Sequence, residues 1–157
     1  MTVPPLKGDL LLALDGIQDP GNMGTIIRTA DAAGFGGIIL SPDCVDIFSP
    51  KVVRATMGSI FRVGFSFPES LPAELAALKT KGFSVISSQL DGKPFYERAP
   101  VPKPLILIVG NEGNGISDEV KAAATHRFRL PMYGGSESLN AAVAAGIMMY
   151  DLKKENP

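Results

Sequence analysis

Leu10-Leu-Leu-Ala-Leu-Asp-Gly-Ile-Gln-Asp-Pro-Gly-Asn-Met-Gly-Thr-Ile-Ile-Arg28 decides the fold. Its first part, Leu10–Leu14, is apolar without alternation, as a strand buried on both faces of a sheet must be. Polar and turn-forming residues follow at once. Apolar residues then recur at helical spacing at Met23, Ile26, Ile27, Ala30 and Ala33, and Gly34 closes the helix. Asn22 is expected to cap its start. A buried strand that passes directly into a helix is half of a parallel β-α-β unit.

The same alternation runs outward along the chain. Gly37–Leu40, Phe83–Ser87 and Leu105–Val109 are further short apolar runs bounded by Gly, Pro, Asp or Ser, and Ser59–Phe67 and His126–Leu130 are also expected to be strands. Between them, Ser49 before Pro50 opens a short helix, Ser70 precedes one through Lys81, and Ser117 with Asp118 and Glu119 starts another. Ser138 is expected to cap a last helix from Leu139 to about Lys154. Residues 89–104, rich in proline, read as a long loop, a length often reserved for function. The expected fold is α/β, a mostly parallel sheet with helices on both faces.

Composition bounds what such a domain can do. A chain of 157 residues with 45% hydrophobic content can bury one real core and has no room for a second full domain. The formal net charge of −1 excludes coating of nucleic acid by global charge, so any such contact must be a local patch. The lone cysteine, Cys44, has no internal disulfide partner and no companion at metal-ligand spacing, which suits a reducing cytoplasm and implies no metal. MTVPPLKGD lacks the pattern of a signal peptide, and no apolar run approaches the roughly 20 residues of a membrane span.

In open α/β sheets ligands bind beyond the carboxyl ends of strands, so chemistry is sought in the turns there. Three turns stand out. In the first, at about 100° per residue, Gly24, Arg28 and Asp31 share a side of the helix away from its apolar stripe. They form either an exposed Arg28–Asp31 pair or an approach for something polar. The second, Gly110-Asn-Glu-Gly-Asn-Gly115, does not have the glycine order of a dinucleotide fingerprint or the Lys-Ser/Thr of a phosphate loop. Glu112 within it would repel phosphate and suits a neutral or cationic ligand. The third, Leu130–Asn140, ends at a helix whose Ala141, Ala142, Ala144, Ala145 and Gly146 allow close packing against the sheet or a second subunit.

Together these turns resemble the three motifs of the SpoU/TrmH family of RNA ribose 2′-O-methyltransferases, in the SPOUT superfamily. The matching residues are Asp19-Pro20, Asn22, Gly24 and Arg28, then Gly110, Glu112 and Gly115, then Pro131-Met132, Gly134 and Ser138-Leu139-Asn140. Pro50-Lys51 with Arg54 and Gly58-Ser59 is similar to an intervening family segment, and the likeness spans about residues 10–152. It implies a deep trefoil knot formed by the C-terminal helix. S-adenosylmethionine would be held near Gly110, Leu130 and Leu139, with Ser87 and Leu90 after the fourth strand. A sulfonium cation also makes sense of Glu112.

The resemblance further implies a homodimer and an RNA substrate, rRNA or tRNA. Arg28, Asn22, Glu112, Ser138 and Asn140 are then the catalytic candidates, and Arg28, Lys51 and Arg54 the RNA contacts. Because a guanidinium stays protonated, Arg28 suits a phosphate clamp and charge stabiliser better than a base. Residues 1–9 resemble the end of a linker before a methyltransferase domain at 10–157, with a separate N-terminal RNA-binding domain expected to be absent from this chain. A catalytically silent knotted module and a nucleotide-binding α/β enzyme are the alternatives.

Overall fold

The computed structural model describes residues 2–111 and 113–157. Six strands form one sheet: β1 (Leu10–Asp15), β2 (Gly37–Leu40), β3 (Gly64–Ser66), β4 (Ser84–Pro94), β5 (Leu105–Gly110) and β6 (His126–Arg129), in the order β3-β2-β1-β5-β4-β6. Every pairing is parallel. The helices are α1 (Pro20–Ala33), α2 (Pro50–Ala55), α3 (Leu71–Thr80), α4 (Asp118–Lys121) and α5 (Ala141–Glu155).

The unbroken apolar run of β1 follows from its central position. Leu10, Leu12 and Leu14 enter one core with α1, α2 and α5, while Leu11 and Ala13 enter a second core with α3 and α4. Successive side chains point to opposite faces, so both must be apolar where both faces are covered. The outer edge of β3 is flanked by residues 4–6, with the Phe65 N–H donating to the Pro4 carbonyl at 2.8 Å. Among the described residues no helix is long and apolar enough to cross a membrane.

Several boundaries differ from the sequence expectation. Asp19, not Asn22, caps α1: its carboxylate accepts the Asn22 N–H at 2.8 Å, and Pro20 takes the first helical position, where no N–H is needed. Likewise Asn140 rather than Ser138 caps α5, accepting from the N–H groups of Ala142 and Val143 at 2.8 and 3.2 Å. Only Gly64–Ser66 of the expected strand 59–67 is extended, because Ser59–Phe61 folds into a 3-10 turn whose Ser59 hydroxyl binds Asp31.

The segment 89–104 is not all loop. β4 pairs with β6 through Ser88, leaves the ladder over residues 89–92, and rejoins it at Lys93 and Pro94, both Ser88 and Lys93 standing opposite Phe128. The Arg129 guanidinium donates to the Gly92 carbonyl at 2.9 Å and holds the excursion down. Beyond it, Arg98 is nearly fully buried, lies 3.5 Å above the Phe95 ring, and binds Asp151 and Glu155 near the end of α5.

Candidate functional site

The carboxyl ends of β1 and β5 are tied together by side chains. Asp15, buried at the end of β1, accepts the Ser117 N–H at 2.7 Å. Asn111 donates to the Gly16 carbonyl at 2.6 Å, while its own carbonyl oxygen accepts from Gly113 and Asn114 at 2.8 and 3.1 Å. Asn111 and Gly115 also exchange backbone hydrogen bonds of 3.1 and 2.9 Å. The glycine loop is therefore closed by its own backbone. A Cβ at Gly110 would lie 2.5 Å from the Gly115 carbonyl carbon and the Ile116 nitrogen, which no side chain tolerates. Glu112 lies outside the described residues.

Beside this loop is a cavity of about 490 Å³, walled by the loop, by the β4 excursion at Ser88–Asp91, and by Ser138, Leu139 and the first turns of α5. A second cavity of about 320 Å³ shares Leu90, Ser138 and Leu139 with it and adds Leu130 and Met132. Of the expected cofactor residues, Gly110, Leu90 and Leu139 line the first and Leu130 the second. Ser87 lines neither. It is fully buried, its hydroxyl donating to the Gln89 side-chain carbonyl at 2.5 Å, and so acts on the wall through Gln89. A third cavity, about 720 Å³ around Lys93, Arg98 and Arg127, contains none of the candidate residues.

The catalytic candidates divide into those brought together and those left apart. The side-chain amide of Asn140 donates to that of Asn22 at 3.0 Å, joining the cap of α5 to the first turn of α1. Ser138 is exposed on the cavity wall two residues earlier. Arg28 is exposed and does not pair with Asp31. Asp31 instead accepts from Arg62 Nε at 2.9 Å and from the Ser59 hydroxyl at 2.8 Å. Partial burial pushes the Asp31 carboxyl up, but those hydrogen bonds outweigh it and hold the group below its ordinary range. With Asp31 occupied elsewhere, the Arg28 guanidinium makes no ion pair among the described residues.

Gly24 leaves no opening for a ligand, because Ala55 fills it: a Cβ at Gly24 would stand 2.2 Å from the Ala55 Cβ. The close approach fixes α2 against α1 and sets the exposed Lys51 and Arg54 on the helix next to Arg28. Cys44 is not poised as a nucleophile, since burial pushes its thiol up from the ordinary value. Among the described residues no group of three or more His, Cys, Asp or Glu is placed to hold a metal.

Sequence reasoning missed Asp15, Asn111, Gln89, Ile116 and Met148. For Asp15 a signal existed: a carboxylate ending a doubly buried strand needs a donor. For Ile116 and Met148, both cavity-lining, none did, since each reads as ordinary core.

The SpoU rRNA Methylase family model matches residues 9–150. The chain is 40% identical over 152 residues to an uncharacterized tRNA/rRNA methyltransferase of Synechocystis, covering 97% of this chain and 56% of that protein. It is 39% identical to the 23S rRNA (guanosine(2553)-2′-O)-methyltransferase of Bacillus subtilis, with 91% of this chain and 57% of that protein covered. Among solved structures, an AdoMet-bound rRNA methyltransferase from Sinorhizobium meliloti superposes with a TM-score of 0.87 at 39% identity, over 96% of this chain and 58% of that one. The chain thus spans little more than half the length of these relatives.

Proposed function

This chain belongs to the SpoU rRNA methylase family, and from that premise we propose that it catalyses S-adenosylmethionine-dependent methyl transfer to a ribose 2′-hydroxyl of rRNA or tRNA. The observation that carries the proposal is one constellation: a closed glycine loop and a cavity beside it, with Asn140 linked to Asn22 where the wall meets α1.

The cavity suits the cofactor. Leu90, Ile116, Leu139 and Met148 offer apolar walls for an adenine, and Gln89 and Ser138 offer polar partners. Gly110 lets the loop close against Gly115 and Ile116 at the cavity's edge. When bound, S-adenosylmethionine supplies an electrophilic methyl group on a sulfonium cation. The remaining task falls to the chain, because a 2′-hydroxyl is a poor nucleophile and must be aligned as it gives up its proton to water. Arg28 grips the phosphate beside the target ribose and stabilises the charge growing on oxygen. Asn22 and Asn140, each orienting the other, position the ribose. Ser138 completes the wall beside it, and Lys51 and Arg54 extend the phosphate contacts.

The functional unit is a homodimer. In its support, α5 presents Val143, Ile147 and Tyr150, each more than one-third exposed, at i, i+4 and i+7 on one face. The trefoil threading of α5 belongs to the same proposal.

Calorimetry with S-adenosylmethionine, followed by transfer of labelled methyl to rRNA and tRNA and nucleoside analysis, tests the activity. A 2′-O-methylated nucleoside is expected. Label found on a base, or none despite bound cofactor, refutes the assignment.

A further inference from the structure

Met57 is the one non-glycine among the described residues with a positive φ, at 51°. Its side chain is also 67% exposed, and Phe61, four residues on at the end of the 3-10 turn, is 57% exposed. An L-residue with a long apolar side chain is poorly suited to this backbone, which glycine or asparagine would occupy with less strain. Two unfavourable features at one position, a strained backbone and apolar surface in water, are a reason to look for a ligand.

The surroundings identify the ligand. Segment 54–62 is clamped to α1 at two points, Gly24 against Ala55 and Asp31 on the Ser59 hydroxyl at 2.8 Å. Arg28 lies on α1 between those points. Met57 and Phe61 are therefore on the segment that flanks Arg28, with Lys51 and Arg54 exposed on the preceding turns. Within α1, α2 and residues 56–62 the one carboxylate is Asp31, and Arg62 already engages it. Apolar side chains framed by cations that make no ion pair among the described residues are the composition of a single-stranded nucleic-acid surface, where cations follow phosphates and flat or polarisable side chains take the bases. The α5 stripe of Val143, Ile147 and Tyr150 is apolar along its length and meets a cation, Lys154, one turn beyond Tyr150, so it suits a second copy better than a phosphate backbone. Apposing the Met57 patch to its own copy would set that patch's cations against one another.

Resting on the RNA methyltransferase reading, we propose that Met57 and Phe61 hold an unstacked base of the substrate RNA next to the ribose gripped by Arg28. An RNA helix displays its 2′-hydroxyls in the minor groove, but in-line alignment of a methyl donor needs clearance around the ribose, and an apolar wedge beside the phosphate clamp supplies it by holding the neighbouring base out of the stack.

The test compares binding of a short single-stranded oligoadenylate with that of the same strand carrying abasic riboses. Wild type should prefer the strand with bases. Met57→Gly combined with Phe61→Ser should cut that preference about tenfold, the size of one lost base stack. Lys51→Gln with Arg54→Gln should weaken both strands alike. Met57→Gly should melt no lower than wild type, because glycine accepts the positive φ. An undiminished preference in the double variant overturns the proposal, as does a wild type that prefers neither strand. A fall to monomer mass on Met57→Gly with Phe61→Ser also overturns it, by showing that a second copy covers the patch. S-adenosylmethionine binding by the same preparation tests the methyltransferase reading separately.

Discussion

Asn140 donates to Asn22 at 3.0 Å while its own carbonyl oxygen caps α5. One side chain thus fixes the start of the last helix and orients a residue of the first. Asn140→Ala should lose both roles and destabilise the fold by about 1 kcal/mol, the usual worth of a cap. Asn140→Asp keeps the cap acceptor and loses the donor, so it should unfold in urea much as wild type does and yet methylate poorly. Full activity in the aspartate variant would reduce the pair to a structural contact.

Arg28→Ala should fold and bind cofactor normally, since the guanidinium makes no ion pair among the described residues. Single-turnover methylation should nevertheless fall about 10²–10³-fold, as when a preorganised charge stabiliser is removed. Arg28→Lys should recover little, because an ammonium cannot reproduce a planar fork on phosphate. Near-normal turnover in Arg28→Ala would leave this residue a surface cation.

Gly110 and Gly113 share a loop and should respond differently to alanine. At Gly110 the new Cβ meets backbone at 2.5 Å, whereas at Gly113 its nearest contact is 3.5 Å from the Asn111 side chain. Gly110→Ala should lower the melting temperature and weaken cofactor binding, and Gly113→Ala should do neither to a comparable degree. Equal behaviour of the two would mean that the loop relaxes freely.

The Asp31 cluster predicts an acid limb in stability. Burial raises this carboxyl, but hydrogen bonds from Arg62 and Ser59 lower it further, so its folded pKa lies below the ordinary 3.8. A depressed carboxylate stabilises the fold above its unfolded pKa, and that share is lost as pH falls through 3.8 towards the folded value. Arg62→Ala should therefore move the acid-unfolding midpoint, followed by circular dichroism, to higher pH. An unmoved midpoint would show the cluster to be energetically silent.

The strands were legible because a parallel strand covered on both faces leaves an unbroken apolar run, as Leu10–Leu14 and Leu105–Val109 do. Helix starts were misplaced where two capable caps lie close together, Asp19 with Asn22 and Ser138 with Asn140, since propensity alone cannot choose between them. Proline hid the far half of β4. Contacts that join distant segments left no local trace. The alanine that fills the space above Gly24 and the arginine that takes Asp31 from Arg28 come from elsewhere in the chain. The three polar turns themselves were visible, but the hydrogen bond that ties Asn140 of the third to Asn22 of the first was not.

The excursion of β4 works as a gauge block. Ser88 and Lys93 both stand opposite Phe128, so residues 89–92 are measured off between two anchored ends of one strand. A loop closed by entropy alone tolerates added length, at a penalty growing only with the logarithm of its size. A spacer pinned at both ends has less freedom: a residue more or fewer must be taken up within 89–92, or it shifts Lys93 and Pro94 against Phe128 and Arg129 and turns their side chains over. The wall formed by Gln89 and Leu90 is therefore more open to exchange of side chains than to change of count.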